Sequence, residues 1–95
     1  MEASADYIDA IEKVVRDHIR SGRIDDVRIR REMDYDGDDR VIVDVIFESK
    51  SNRLDPKETV EIARLVWQRM VDLDVPGFPS ITFISKSDLG RSAAA

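Results

Sequence analysis

Apolar residues recur at every second position over two neighbouring stretches, which is the period of a β-strand with one buried face. The first runs Val27-Arg28-Ile29-Arg30-Arg31-Glu32-Met33 and the second Arg40-Val41-Ile42-Val43-Asp44-Val45-Ile46-Phe47. Between them lies Asp34-Tyr35-Asp36-Gly37-Asp38-Asp39, and Asp-Gly between two alternating runs signals a hairpin turn. Val27, Ile29, Met33, Val41, Val43, Val45 and Phe47 share odd parity. Both odd sets occupy one face only if the loop holds an odd number of residues, because a one-residue slip inverts a strand. A loop of Tyr35-Asp36-Gly37 satisfies this, with Gly37 in the left-handed position that closes a type I turn with a bulge. That register sets Arg28 opposite Asp44 and Glu32 opposite Arg40. A two-residue slip pairs Arg30 with Asp44 and Asp34 with Arg40 instead, so charge alone does not choose between them.

Two stretches change to the helical period. Ile8, Ile11, Val15 and Ile19 follow three-and-four spacing, widened by Tyr7, Val14 and His18, and predict a helix over 6–22 with Ser4 as its N-cap and Gly22 as a left-handed C-cap. Asp55-Pro56-Lys57-Glu58 starts a second helix running to about Asp72, with Asp55 capping, Pro56 at the first turn and Glu58 closing a capping box. Its apolar residues Ile62, Leu73, Val66, Met70, Ala63, Trp67, Val60 and Val71 cover about half the cylinder, and Leu65 stands alone among charges. So wide an arc predicts contact with the sheet and the first helix together, with Trp67 inside; Trp67→Ala would then cost about 3–5 kcal/mol. After the turn Asp74-Val75-Pro76-Gly77-Phe78-Pro79, a third strand spans 80–85.

The order α-β-β-α-β makes an α+β two-layer sandwich. The second strand is apolar on both faces, the mark of a central strand. The expected sheet is three-stranded and mixed, in order 1-2-3, with both helices on one face. The alternative order 2-1-3 would place Arg28 and Arg30 on the central strand.

With 95 residues, 42% hydrophobic and 37% charged, the chain suits one domain with a modest core. Ordered structure is expected over 5–85, a fraying tail over 86–95, and Ala93-Ala94-Ala95 reads as an appended tail. The chain has no cysteine, which excludes disulfides, thiolate nucleophiles and cysteine-ligated metals. Nothing approaches a membrane span or a signal pattern at the start, so the expected location is the cytoplasm.

Candidate chemistry is sparse. Asp34, Asp36, Asp38 and Asp39 resemble a calcium loop, but Gly37 is fourth from Asp34 where an EF-hand needs it sixth, and the twelfth position is Val45 instead of glutamate. A solvated hairpin tip is the favoured reading. His18 is the only histidine; no local nucleophile or orienting acid completes a triad, and it reads as a core-edge residue bonded through one nitrogen. The four glycines form no phosphate-binding fingerprint. No cofactor, metal or catalytic constellation is expected, and the chain reads as non-enzymatic.

Charge is segregated: residues 13–31 hold seven basic and three acidic side chains, and residues 32–48 hold seven acidic and one basic. Arg20, Arg23, Arg28 and Arg30 form a candidate anion-binding patch for nucleic acid or a phospholigand, although a net charge of −5 disfavours nucleic acid. The preferred expectation is a protein-interaction module, self-associating or binding a protein partner through the outer sheet face. Ile42, Ile46 and Ile84 would form the contact there, and Leu65 lies on the far side of the second helix.

Overall fold

Residues 3–88 are described in the computed structural model of the chain. They form α1 (Ala3–His18), β1 (Arg23–Met33), β2 (Asp39–Glu48), α2 (Pro56–Asp72) and β3 (Phe78–Ser85). The strands form one sheet in order β1-β2-β3, with β1 antiparallel and β3 parallel to β2. Both helices cover the same face: Ile11, Val14 and Val15 of α1 and Ile62, Val66 and Met70 of α2 meet Val41, Val43 and Val45 of β2 in one core.

Of the two registers that parity allows, the hairpin takes the first. Arg28 pairs with Asp44 and Glu32 with Arg40. Asp34 N–H donates to Asp38 O and Gly37 N–H to Asp34 O, both at 3.0 Å, and Gly37 has φ +83°. The first strand starts earlier than expected, at Arg23, because a bulge between Ile24 and Asp26 restores the parity of what precedes it. Ile24 then joins Val27 and Ile29 against the core.

The ends of the helices correct four expectations. Ser4 falls within α1, so it is not the N-cap. Glu58 does not close a capping box, and α1 stops at His18, four residues early. One network explains both. Glu58 Oε1 accepts from the N–H groups of Arg20 (3.2 Å) and Ser21 (3.1 Å), which in a longer helix would bond back along α1, and from Ser21 Oγ (2.6 Å). Ser21 Oγ in turn accepts from Asp55 N–H (2.8 Å), the donor that a capping box would have given to Glu58. Asp55 does cap: its Oδ1 accepts from Lys57 N–H at 3.0 Å, with Pro56 in the first turn. Gly22 has no positive φ and is not a left-handed cap. It is required for close approach, since a Cβ there would lie 2.9 Å from both Glu48 O and Leu54 Cδ2.

The same tie sets which side of α2 is buried. With α1 drawn onto the side carrying Glu58, Leu65 packs against the core and is not on a far side. Trp67 is 48% exposed, outside the core expected to hold it. On the outer sheet face, Ile42 and Ile46 are only 8% and 1% exposed within the single chain. Their central-strand register flanks Ile42 with Arg30 and Ser80, and Ile46 with Asp26 and Ile84. Lys86 Nζ reaches Asp25 at 3.5 Å, tying one edge of the sheet to the other at the level of Ile46. Residues 86–88 are helical, not frayed; the rest of the expected tail, Ala93–Ala95 included, lies outside the described residues.

Two measurements follow. In urea unfolding, Ile46→Ala should cost about 2–5 kcal/mol, as for a buried isoleucine, and Trp67→Ala about 1 kcal/mol or less. Equal costs would contradict the burial pattern. The hydrogen bonds from Ser21, side chain first, hold the Glu58 carboxyl below its usual range. A depressed folded pKa means stability that is present above the unfolded glutamate value and lost as pH falls through the folded one. Glu58→Gln should therefore lower stability at neutral pH and flatten its fall below the ordinary glutamate range. Ser21→Ala should cost about 0.5–2 kcal/mol, as for loss of a cap. An acid unfolding curve of the same shape in Glu58→Gln would remove Glu58 as a titrating tie.

Candidate protein-interaction face

Val60, Ala63, Trp67 and Val71 recur at spacings of three and four along α2, which places them in one strip. None is buried: Val60 is 70% and Val71 56% exposed, beside the half-exposed Trp67. Beyond the helix, exposed Leu73 lines the groove on the α1 side, and Phe78 lies on the outer sheet face beside Arg40. The strip lies opposite the α1 side of α2, because Ile62, Val66 and Met70 take the core and Glu58 and Leu65 turn toward α1. The strip therefore flanks β3.

β3 is an edge strand, bonded to β2 on one side, and among the described residues no strand pairs with its other side. The two edges of the sheet differ sharply in chemistry. β1 carries Arg23, Asp25, Asp26, Arg28, Arg30, Arg31 and Glu32, a charge density that discourages strand addition. β3 reads Phe-Pro-Ser-Ile-Thr-Phe-Ile-Ser with no charge at all. An uncharged edge beside an exposed apolar helix strip makes one continuous side of the domain. The sequence contained the signal for this face in the excess width of the α2 arc, but spacing alone does not say which part of an arc stays outside.

The residues nominated from sequence fare differently. Ile42 and Ile46 lie on the outer face but are already buried, so they present no open patch. Ile84 is half-buried beside Ile46, and Leu65 belongs to the core. Of the four arginines of the candidate patch, Arg28 and Arg30 are ion-paired within the strands. Arg28 Nε pairs with Asp26 at 3.0 Å; Arg30 contacts Glu32 at 3.0 Å and Asp44 at 3.4 Å. The hydrogen bond to Glu32 raises the pKa of Arg30 above its ordinary value. Arg23 faces Glu48 in register, and Arg20 lies in the link whose backbone is held by Glu58. Ion pairs thus account for Arg28 and Arg30, whereas Arg20 and Arg23 are placed here through their backbones.

At the hairpin tip, Asp34, Asp36 and Asp38 have carboxylate oxygens within 4.8 Å of one another. The arrangement is a turn device: Asp34 Oδ1 accepts from the N–H groups of Asp36 and Asp38, each at 3.0 Å. His18 is exposed, not at the core edge, with its Nδ1–H donating to Val14 O at 2.9 Å. It borders a groove of about 270 Å³ between the helices, whose charged residues pair within their own helix, Lys13 with Asp17 and Arg69 with Asp72. Arg40 is held by Ser80 Oγ at 3.3 Å and stacks 5.8 Å from the centre of the Phe78 ring. No helix among the described residues is long and apolar enough to cross a membrane. No protein family, curated protein or solved structure matches the chain.

Proposed function

We propose that this chain is a non-enzymatic protein-interaction module, and that its contact surface is the exposed strip of α2 with the adjoining edge of β3. The observation that carries the reading is Trp67, half exposed in the middle of a strip of valines on a well-capped helix. Contiguous exposed apolar surface marks protein contact sites, and tryptophan is the residue most enriched where binding energy concentrates. The strip is apolar along almost the whole helix, so it suits a partner helix or strand better than a small polar ligand. The outer sheet face lacks this character, because its isoleucines are covered within the chain.

A photo-reactive phenylalanine analogue in place of Trp67, with the same analogue at exposed Lys13 as control, tests the reading in cells. The expected result is a discrete protein adduct from position 67 and none from position 13. No adduct at 67 above that at 13 would overturn it.

A further inference from the structure

We infer that the partner is a second copy of this chain, joined across a two-fold axis by antiparallel pairing of the two β3 edges and packing of the two α2 strips. The inference rests on the interaction reading above and names its occupant.

The first argument is geometric. α2 has 17 residues and β3 has 8. At 1.5 Å and 3.3 Å per residue both are about 26 Å long. Each end of α2 is joined to the sheet by a short link, 49–55 from β2 and 73–77 to β3, so their midpoints lie at one level. One axis therefore passes the middle of β3, near Ile81 and Thr82, and the middle of the strip, between Ala63 and Trp67. Helices packed about 8–10 Å apart straddle two strands about 4.8 Å apart, with each helix over its own β2 and β3. That is where the core places α2, through Val43, Val45, Ile81 and Phe83.

The second argument is complementarity. Antiparallel helices centred there bring Val60 against Val71 of the partner subunit, and small Ala63 against Trp67 of the partner subunit. Lys57 comes beside Asp74 of the partner subunit. Neither Lys57 nor Asp74 has an ionic partner among the described residues. A two-fold axis also sends the two acidic hairpin tips, with Asp34, Asp36 and Asp38, apart. The product is a six-stranded sheet whose only open edges are the charged β1 strands.

Light scattering across the micromolar to millimolar range should give a dimer, twice the 10.9 kDa chain mass. The absence of cysteine makes single-cysteine trapping clean. Under mild oxidation Thr82→Cys should form a disulfide dimer, and Asp36→Cys at the hairpin tip should not. Trp67→Lys should give a folded monomer by circular dichroism. Lys57→Glu should weaken the dimer severalfold, and Asp74→Lys added to it should restore the affinity. A monomer at every concentration overturns the second-copy inference but not the interaction reading, which an adduct to a different protein at position 67 would then uphold. A dimer that survives Trp67→Lys and is not trapped at Thr82 places association elsewhere and overturns both.

Discussion

The rotation of α2 about its own axis depends on one carboxylate. Glu58 accepts three hydrogen bonds from Arg20 and Ser21, and Ser21 completes the circuit to the N–H of the cap residue Asp55. Charge-assisted bonds of this kind are stronger than neutral ones, and here they join the end of α1 to the start of α2 across 37 residues of sequence. Once α1 is held on the Glu58 side, the groove between the helices closes over Leu65, and Ile62, Val66 and Met70 are the residues left to meet the sheet. Val60, Ala63, Trp67 and Val71 have nowhere to go but outward. The exposed strip is thus a consequence of a polar contact at the N-terminal end of the same helix.

The hairpin was legible because its constraints are local and binary. A strand residue faces one side or the other, so the odd parity of Val27, Ile29, Val41, Val43 and Val45 leaves only odd loop lengths, and Gly37 supplies the positive φ that the three-residue loop needs. Ile24 breaks that parity, and only the bulge before Asp26 brings it back to the core face. A bulge has no signature in alternation; it shows as the point where alternation fails, which is also how a loop begins. The start of β1 was unreadable for that reason. Strand order was readable because Ile42 and Ile46 opposite the valines demand cover on both sides, and a central position gives it.

The face of α2 was not legible in the same way. A helix can turn through any angle, and an arc as wide as this one accommodates several rotations with nearly equal apolar burial. Burying Trp67 looks best if area alone is counted, since a large aromatic side chain offers the most transfer free energy. What decides is a set of hydrogen bonds between residues far apart in sequence. The capping-box pattern of Asp55 and Glu58 concealed them, because the same two residue types serve a local cap equally well. The arginines misled in the opposite sense. Their number implied a patch, but Asp26, Glu32 and Asp44 are interleaved at strand spacing and neutralise Arg28 and Arg30 in place.

Charge on this chain is best understood as protection of some surfaces and not others. A three-stranded sheet has two edges, and each offers a row of unpaired backbone groups. On β1 the exposed side chains are almost all ionised, so a strand added there would lay its backbone among charges that cannot be matched without losing water. On β3 there is no such obstacle, and the helix above it exposes its valines and its only tryptophan on the same side. A net charge of −5 keeps the chain apart from its copies in general, yet the repulsion is weakest where neither edge carries charge. An open, uncharged strand edge beside exposed apolar surface is an aggregation liability, and a partner that pairs with the edge and covers Trp67 at the same height would remove both parts of it.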